Sequence, residues 1–447
     1  MGKLFGTDGV RGIANKELTP ELAFRLGRAG AGLFGQHNKQ PNFVLGRDTR
    51  ISGVMLEAAL IAGICSAGGK VTVLGVVPTP AVAYLTRKLG ADAGIVISAS
   101  HNPAADNGIK FFCGDGYKLP DAVEERLEEL VLAPQDDIAR PIGGEIGTIT
   151  HYPEGLDTYI DFVTSTTAAD FRKLKIVIDC ANGAAFEASP RVFRRLGANV
   201  IPLNARPNGI NINVDCGSTH PQALQKAVLE HNAHLGIAHD GDADRVIVVD
   251  EQGKLVDGDF IMAICGLHML GKGQLADKTL VATVMSNLGL HLAFKRMGGK
   301  VVTTQVGDRY VLEAMREKGY NLGGEQSGHI IFLEHNTTGD GLVTAVQLVS
   351  VVKERGKPLS ELAAVMKRLP QVLVNARVKD KTGWEENPAI RAAVAKAEKE
   401  LGDTGRVLVR ASGTEPLIRI MAEGPEEAAL KTLAEDIQKV VFAELSK

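Results

Sequence analysis

Short apolar runs that end in polar turns recur along the chain and predict much of its secondary structure. Three of them precede Ala/Leu-rich stretches with helical spacing, at residues 43–48, 175–183 and 279–284. Three shorter runs lead into loops crowded with polar side chains, at residues 94–98, 235–240 and 320–325. Strands that alternate with helices are typical of βαβ units. A run before a helical stretch is followed by a run before a polar loop, and this pair recurs three times in the same order. The pattern therefore predicts three related α/β domains with mainly parallel sheets.

The pattern changes towards the C-terminus. Residues 372–378 alternate between apolar and polar side chains, residues 387–401 form a charged helical stretch, and residues 406–410 resemble another strand. This mixture is typical of a small α+β domain. We therefore expect the last part of the chain to fold differently from the three units before it.

Turn-forming segments mark the junctions between these units. A Gly-rich segment lies at 141–147, a hairpin-like turn at 250–253, and a proline at position 370. A chain of 447 residues is also too long for a single hydrophobic core. We predict four domains, at residues 1–150, 151–252, 253–368 and 369–447.

The composition narrows the choice of partner and compartment. Lys and Arg number 50 against 53 Asp and Glu, so a net charge of −3 gives no reason to expect nucleic acid or an anionic membrane. The five cysteines are widely spaced and odd in number, which does not suggest a disulfide framework or a zinc site. No leader-like apolar segment is found. We therefore expect a cytoplasmic protein that acts on a small molecule.

A candidate nucleophile follows the apolar run at 94–98. Ser98, Ser100, His101 and Asn102 crowd the strand end, and Lys110 follows ten residues after Ser100. A hydroxyl with a nearby cation suits nucleophilic or phosphoryl chemistry. The alternative is a Ser/Asn-rich turn whose side chains are simply solvated, and the loop by itself does not decide between them.

Three carboxylates alternate along the loop at 240–245. Asp240, Asp242 and Asp244 are separated only by Gly241 and Ala243, two residues that add little bulk. Like charges this close repel one another unless a cation neutralises them, and ligands that are all oxygen favour Mg²⁺ over zinc or copper. The loop is therefore predicted to bind one Mg²⁺. An acidic turn facing solvent is the alternative.

Two further loops suit a sugar phosphate. Residues 324–329 place Glu325 and Ser327 between glycines and His329 directly after them, where they could bind sugar hydroxyls or an amine, although a capped helix start would look similar. Arg11 lies in the Gly-rich segment 6–12, where it could face a phosphoryl group or a surface carboxylate.

The loop at 410–416 has the features of an anion-binding site. Glycine there allows close backbone approach, hydroxyls donate hydrogen bonds, and arginines can fork onto phosphate oxygens. The residues concerned are Arg410, Ser412, Gly413, Thr414 and Arg419. A surface Arg/Ser turn is common, so this loop is informative only in combination with the others.

Together the loops supply what phosphoryl transfer needs, namely a hydroxyl, a metal site, cations and a phosphate cradle. Acyl transfer fits less well. No Gly-x-Ser-x-Gly elbow is present, and His101 is adjacent to Ser100 in sequence and so poorly placed to serve it as a base.

With these motifs in this order, the chain resembles the α-D-phosphohexomutase superfamily. The resemblance rests on residues 6–12, 98–103 with Lys110, 240–245, 324–329 and 410–416, and it spans essentially the whole chain. It implies an α/β fold of four domains around a central cleft: three related α/β domains and a C-terminal TBP-like α+β domain. It also implies a possible homodimer.

The resemblance assigns roles that the residues alone left open. Ser100 would carry a phosphoryl group in the active form and would join Asp240, Asp242 and Asp244 around Mg²⁺. Lys110, with a lowered pKa, would be the general acid or base, and His329 a second proton-transfer group. Transferred charge would be stabilised by His101, Arg11 and Arg245. Glu325 and Ser327 would hold sugar hydroxyls, and the phosphate cradle would consist of Arg410, Ser412, Gly413, Thr414 and Arg419.

The implied reaction is an isomerisation through a sugar bisphosphate. The loop at 324–329 is similar to the bacterial branch that acts on glucosamine phosphates and supplies UDP-N-acetylglucosamine and cell-wall precursors, whereas mannose and glucose enzymes tend to differ at the position of Gln326. A mannose or glucose phosphate mutase and a non-catalytic sugar-phosphate-binding regulator stay open as alternatives.

Overall fold

The computed structural model describes residues 4–6, 8–36, 40–412 and 416–446, and its chain forms two compact units. The first unit comprises Met1–Met285 and Gly299–Val365, and the second comprises Ser286–Gly298 and Met366–Lys447. Within the described ranges, none of the helices combines the length and the apolar character needed to cross a bilayer. The four predicted domain boundaries remain predictions.

The first sheet of the first unit has seven strands in the order β1-β2-β6-β5-β3-β4-β7. These strands are β1 (Phe5–Gly6), β2 (Gly9–Ile13), β3 (Asn42–Arg47), β4 (Lys70–Val76), β5 (Ala93–Ile97), β6 (Asp106–Cys113) and β7 (Ile149–His151). The helices are α1 (Pro20–Phe34), α2 (Ile51–Ser66), α3 (Thr79–Lys88) and α4 (Asp121–Leu132). Phe43, Ile95 and Phe111 lie in its buried core. Helices α1 and α2 approach closely because Gly63 has no side chain: a β-carbon there would lie 2.2 Å from the Phe24 carbonyl oxygen.

The second sheet has five strands in the order β12-β11-β10-β8-β9. They are β8 (Lys175–Asp179), β9 (Asn199–Leu203), β10 (Leu235–His239), β11 (Val246–Asp250) and β12 (Leu255–Val256). The accompanying helices are α5 (Gly155–Ser165), α6 (Ala185–Arg195) and α7 (Gln222–Glu230). Val177 and Ala238 contribute to a core that α7 covers with Leu224 and Val228.

The third sheet has four strands in the order β14-β13-β15-β16. They are β13 (Thr279–Thr283), β14 (Lys300–Thr304), β15 (Leu322–Gly324) and β16 (Ile330–Phe332). The helices of this region are α8 (Gly258–Gly271), α9 (Leu288–Arg296), α10 (Asp308–Lys318), α11 (Gly341–Arg355) and α12 (Leu359–Ala363). Helix α9 is the exception among them, because it belongs to the second unit.

The three sheets share one topology, which places their polar loops equivalently. Strands β5, β10 and β15 each pair in parallel with a strand on one side, and each turns back antiparallel into β6, β11 and β16 on the other. The three polar loops predicted from sequence are these turns. The predicted strands before the loops are confirmed. Among the four strands common to the three sheets two of the three pairs are parallel, as predicted, whereas the strand after each loop returns antiparallel. A strand that returns beside its neighbour has the same apolar pattern as one that crosses over.

The second unit contains a three-stranded antiparallel sheet in the order β17-β19-β18. Its elements are β17 (Gln371–Arg377), α13 (Pro388–Leu401), β18 (Arg406–Ala411), β19 (Leu417–Glu423) and α14 (Glu427–Leu445). Ile418, Ile420, Leu430 and Ile437 lie in the core between the sheet and the helices. This arrangement of an antiparallel sheet and helices is the α+β architecture predicted for the C-terminal part of the chain.

A buried carboxylate attaches α9 to this sheet. Glu423 is fully buried and accepts hydrogen bonds from the backbone N–H of Leu288 at 2.9 Å, from Gln371 Nε2 at 3.0 Å and from Arg406 Nε at 2.6 Å. Each donor comes from a different element. One charged side chain therefore joins residues 286–298 to the C-terminal sheet.

Candidate active site

Ser100 lies in the turn between β5 and β6 and is only 1% exposed. Its φ of 50° lies in the left-handed region, which costs a residue with a side chain about 1 to 2 kcal/mol. The hydroxyl donates a hydrogen bond of 2.6 Å to Oδ2 of Asp240. The strained turn thus directs the hydroxyl at the aspartate loop, and the alternative of a solvated turn is wrong.

A buried ion pair between Asp48 and Arg50 supports the turn that contains Ser100. Asp48 and Arg50, directly after β3, pair with each other, and neither side chain is exposed. Arg50 Nη2 donates to the carbonyl oxygens of Ser100 at 3.1 Å and Asn102 at 2.6 Å. Ser98 Oγ donates to Asp48 at 2.5 Å and accepts the Ser100 N–H at 3.0 Å. These bonds hold the strained backbone in place.

The aspartate loop is the turn between β10 and β11. Asp240, Asp242 and Asp244 are all buried, and one carboxylate oxygen from each lies within 4.8 Å of the other two. A φ of 58° at Ala243 allows the turn to bring them together. The alternative of an acidic turn facing solvent is wrong.

The electrostatics of this loop suit a divalent cation. Oδ1 of Asp242 and Oδ1 of Asp244 are buried and have no hydrogen-bond partner. Burial and the neighbouring carboxylates of Asp244 and Asp242 raise the pKa of Asp240 well above its ordinary value. Hard oxygen ligands that repel one another, two of them without a donor, fit a metal such as Mg²⁺, which would supply positive charge.

Lys110, in β6, lies beside this loop and is 3% exposed. Its Nζ is 2.9 Å from Oδ2 of Asp8 and 3.5 Å from Oδ2 of Asp242. Burial lowers the pKa of Lys110, but the carboxylates of Asp8, Asp242 and Asp244 outweigh burial, so the pKa is raised overall. The arrangement therefore does not provide the lowered pKa that we expected for a base at this position.

His101 and Arg245 meet on another side of Ser100. Arg245 Nη1 donates to His101 Nδ1 at 3.2 Å. His101 Nδ1 also lies 3.5 Å from Ser100 Oγ. Burial lowers the pKa of His101, and the charges of Arg245 and Arg11 lower it further. Arg11, in β2, forms an ion pair with Asp8. Two arginines and a neutral imidazole are thus gathered around the serine loop.

His329 joins the third sheet to the aspartate loop. It is 2% exposed, with Nδ1 at 3.4 Å from Oδ2 of Asp244 and Nε2 at 3.4 Å from Oδ2 of Asp308. Burial lowers the pKa of His329, but Asp244 and Asp308 reverse this and raise it. His329 also pairs with Arg245 in an antiparallel bridge, so the two loops are joined through their backbones.

A series of ion pairs extends from Asp308 through Lys118 to Asp8, and the sequence analysis missed all three residues. Lys118 Nζ lies 2.5 Å from Oδ2 of Asp308 and 2.9 Å from Oδ1 of Asp8. Asp8 in turn pairs with Lys110, which closes the path back to the aspartate loop. A sequence signal did exist for Asp8, which lies in the Gly-rich segment with Arg11. Asp308, the first residue of α10, and Lys118, in the segment after β6, had no such signal, because a single charged residue outside a motif is usually solvated.

The loop at 324–329 connects β15 to β16, so the alternative of a capped helix start is wrong. Glu325 Oε1 accepts the Gly307 N–H at 3.1 Å, and the exposed Ser327 has its hydroxyl 3.5 Å from Glu325 Oε2. Gln326 Nε2 donates to Asp259 Oδ2 in α8 at 3.0 Å. Glu325 and Ser327 thus share one end of the loop, while Gln326 is bonded to the helix.

The candidate phosphate cradle belongs to the second unit. Arg410 in β18 and Arg419 in β19 are directly opposite each other in the antiparallel register, so they lie on the same face of the sheet. Ser412 is 4% exposed, and its carbonyl oxygen accepts a hydrogen bond of 2.6 Å from Lys381 Nζ. Lys381 is a further cation that the sequence analysis missed. The predicted members Gly413 and Thr414 lie outside the described residues.

Four family models match the chain in succession. All are described as phosphoglucomutase/phosphomannomutase: alpha/beta/alpha domain I at residues 2–137, domain II at 157–253, domain III at 257–369, and the C-terminal domain at 373–440. Together they cover most of the sequence, and each of the candidate site residues lies within one of them.

Individual relatives agree with the family models. The phosphoglucosamine mutase of Symbiobacterium thermophilum is 59% identical over 447 residues, which is all of both chains. That of Moorella thermoacetica is 59% identical over 98% of this chain and 99% of its own. Among solved structures, a phosphoglucomutase/phosphomannomutase family protein from Burkholderia thailandensis is 25% identical, with a TM-score of 0.82 over 98% of this chain and 97% of its own.

Proposed function

This chain belongs to the phosphoglucomutase/phosphomannomutase family, and from that premise we propose that it interconverts glucosamine 6-phosphate and glucosamine 1-phosphate. Two relatives that are each 59% identical over nearly the whole chain carry the name phosphoglucosamine mutase. Their names support an amino sugar as the substrate, in preference to mannose or glucose.

One observation carries the proposal. The hydroxyl of Ser100 is buried and lies 2.6 Å from a carboxylate in a loop with three buried carboxylates. A serine in that position would be of little use as a surface donor. It is well placed to bear a phosphoryl group whose charge a metal at those carboxylates would offset.

In the first half-reaction, the enzyme begins with phosphate on Ser100. The O1 hydroxyl of glucosamine 6-phosphate attacks the phosphorus, so that the bond from O1 to phosphorus forms as the bond from Ser100 Oγ breaks. The proton leaves O1, and Ser100 Oγ becomes a hydroxyl again. The product in the site is glucosamine 1,6-bisphosphate.

In the second half-reaction, the bisphosphate binds with its ends exchanged. Ser100 Oγ attacks the phosphorus on O6, the bond from phosphorus to O6 breaks, and O6 takes up a proton. Glucosamine 1-phosphate leaves, and Ser100 is phosphorylated as at the start. The net change is an isomerisation, and no other reactant is consumed.

The residues present fit a bound Mg²⁺, which Asp240, Asp242, Asp244 and the phosphorylated Ser100 would hold. When bound, such an ion supplies positive charge that stabilises the phosphoryl oxygens. Two of the aspartate oxygens are buried without a donor, which is the observation that supports this assignment.

The other polar side chains around Ser100 receive the remaining chemical roles. Arg11, Arg245 and His101 stabilise the charge on the transferred phosphoryl group. Lys110 is the first candidate for moving the proton, since its ammonium group lies 3.5 Å from Asp242. His329 is the second, because it contacts Asp244 on the side of the third sheet.

Binding of the sugar and of the phosphate that is not reacting is assigned to two further loops. Glu325 and Ser327 hold sugar hydroxyls, and either phosphate of the substrate is bound by Arg410, Ser412, Gly413, Thr414 and Arg419. Paired arginines on one face of a sheet suit this task, because each can fork onto phosphate oxygens. We also propose that the protein is cytoplasmic and forms a homodimer. Sedimentation of the purified protein would test the dimer.

A comparison of substrates tests the proposal directly. Purified enzyme with Mg²⁺ and a catalytic amount of the matching sugar 1,6-bisphosphate is assayed separately with the 6-phosphates of glucosamine, glucose and mannose. We expect the highest kcat/KM for glucosamine 6-phosphate. Faster turnover of glucose or mannose phosphate would reassign the substrate. No turnover of any of them, with binding retained, would indicate a non-catalytic sugar-phosphate-binding protein.

A further inference from the structure

The serine loop and the aspartate loop come from different sheets, yet each is held by a side chain from the other's region. Asn213 follows β9 in the second sheet's region, and its Nδ2 donates to the carbonyl oxygens of Ser100 at 2.9 Å and Asn102 at 3.0 Å. Thr79 begins α3 beside the first sheet, and its hydroxyl donates to Oδ2 of Asp242 at 2.6 Å.

We infer that Asn213 and Thr79 are reciprocal positioning residues that set the distance between Ser100 and the aspartate loop. The inference rests on the proposed phosphoserine cycle. Neither side chain is given a role in the chemistry itself. Each acts through a residue that has one, Asn213 through Ser100 and Thr79 through Asp242.

Asn213 completes the support of a strained turn. The same two carbonyl oxygens already accept hydrogen bonds from Arg50, which belongs to the first sheet's region. Arg50 alone would fix the turn only relative to its own sheet. The amide of Asn213 adds a second pair of bonds that fixes the same turn relative to the second sheet.

The serine loop and the aspartate loop pack tightly against each other next to Asn213. A β-carbon added at Gly241, inside the aspartate loop, would lie 2.5 Å from the Ser100 carbonyl oxygen and 2.8 Å from Asn213 Nδ2. Both distances are shorter than van der Waals contact allows. The aspartate loop therefore lies directly against the backbone that Asn213 holds.

Thr79 bonds one oxygen of Asp242 and leaves the other available for a metal. Its hydroxyl occupies Oδ2, its N–H donates to the Asp242 carbonyl oxygen at 2.9 Å, and it is only 2% exposed. Oδ1 of Asp242 is the buried oxygen without a partner. A group that hydrogen-bonds a metal ligand and orients it commonly raises metal affinity by about 10- to 100-fold.

The test uses the full-length, dephosphorylated enzyme with two substitutions at each position. Asn213→Ala removes the amide, and Asn213→Asp keeps its shape but replaces the donor with an acceptor. Thr79→Val removes the hydroxyl but keeps its shape, and Thr79→Ser keeps the hydroxyl. Val214→Ala, an exposed neighbour in the Asn213 loop, serves as the matched control.

Two measurements separate the roles. The rate at which glucosamine 1,6-bisphosphate phosphorylates Ser100 is followed by rapid quench and intact mass, and Mn²⁺ affinity is measured by electron paramagnetic resonance. Both Asn213 variants should slow phosphorylation by about 10- to 100-fold, because a displacement of about 1 Å has that effect, while Mn²⁺ affinity stays within about twofold. Thr79→Val should weaken Mn²⁺ binding by at least about tenfold, and Thr79→Ser should restore most of it.

The outcomes distinguish this inference from the function on which it rests. If the wild-type enzyme takes no phosphate from the bisphosphate, the proposed function fails. If the wild-type enzyme and Val214→Ala are phosphorylated and the Asn213 variants are equally fast, or if Thr79→Val binds Mn²⁺ as tightly as Thr79→Ser, only the inference is overturned. Thermal midpoints close to wild type for Asn213→Asp and Thr79→Val, which keep the shapes of the side chains, support it by excluding loss of the fold as the cause.

Discussion

The hydroxyl of Ser100 donates to Oδ2 of Asp240 over 2.6 Å, although 140 residues separate the two in the chain. The serine lies in the turn after β5 of the first sheet, and the aspartate directly follows the equivalent strand, β10, of the second. A phosphate on Ser100 would thus be placed against three carboxylates. Such an arrangement is tolerable only where cations compensate, and Lys110, Arg245 and a metal would provide that compensation.

Replacement of the serine should stop turnover without affecting the fold. We expect Ser100→Ala to abolish the mutase cycle, since no other hydroxyl is assigned to carry the phosphoryl group. Intact mass should show one added phosphate on wild-type enzyme after incubation with bisphosphate, and none on the variant. The exposed Ser165→Ala serves as the control and should behave as wild type. Full activity in Ser100→Ala would refute the assignment.

Divalent cations should stabilise the protein through the aspartate loop. Binding to the folded state alone adds about 2.7 kcal/mol when the free ion is 100 times its Kd, so Mg²⁺ should raise the Tm of the apo-enzyme by several degrees. Asp242→Asn should remove this rise, because it replaces a buried oxygen that lacks a donor. Differential scanning calorimetry with and without EDTA measures the effect.

The matched control for the metal is Asp137→Asn, which changes an exposed carboxylate. It should keep the full Mg²⁺-dependent rise in Tm. A rise of equal size in Asp242→Asn would show that the ion binds elsewhere on the protein.

Lys118 should contribute to stability because it lies between two carboxylates. Its side chain is 15% exposed and pairs with Asp8 and Asp308, so Lys118→Met leaves both without this ammonium group. We expect a loss of about 3 kcal/mol in the free energy of unfolding, together with a lower kcat, since Asp8 and Asp308 contact Lys110 and His329. Lys118→Arg should recover part of both.

Guanidinium chloride unfolding measures the effect at Lys118. Lys88→Met removes an exposed lysine and should change stability by less than about 0.5 kcal/mol. Equal stability of the two methionine variants would contradict the role given to the ion pairs.

Stability of the second unit should depend on pH through His291 in α9. Burial, with a further contribution from the charge of Arg406, lowers the pKa of His291 to about 4, and its Nε2 is buried without a partner. An unfolded histidine titrates near 6.5, so below that pH the unfolded chain binds more protons and stability falls as pH decreases towards 4. After allowance for partial exposure, the loss from pH 7.5 to pH 5 should be about 1 to 2 kcal/mol.

Substitution isolates the contribution of His291. His291→Leu should lose about 1 to 2 kcal/mol less than wild type between pH 7.5 and pH 5, as measured by denaturant unfolding at each pH. The exposed His220→Leu should keep the wild-type pH dependence. A steeper loss in His291→Leu than in wild type would show that the sign is wrong.

Much of the secondary structure was predictable because it depends on local pattern. Apolar runs such as residues 94–98 and 235–240 could be recognised as strands, and the polar residues after them as loops. The direction of the following strands was not predictable. Strands β6 and β11 return antiparallel, and their apolar residues would look the same in a parallel crossover.

The candidate site was predictable where one loop carried several chemical groups together. Ser100 with His101, and the aspartates at 240, 242 and 244, are dense enough in sequence to suggest chemistry. Asp8, Lys118 and Asp308 are single charged residues in separate parts of the chain. Their function depends on contacts across 110 and 190 residues, which no local pattern contains.

The sequence by itself therefore determined which groups are available: a hydroxyl, three carboxylates, the arginines and the order of strands that carry them. Only the tertiary structure decided that the hydroxyl meets the carboxylates, that Asn213 and Thr79 hold the two loops, and that Lys110 lies among acids that raise its pKa. The physical reason is range. Strand and loop propensities act between near neighbours in the chain, whereas charge, burial and hydrogen bonding act between whatever residues folding brings within a few ångströms.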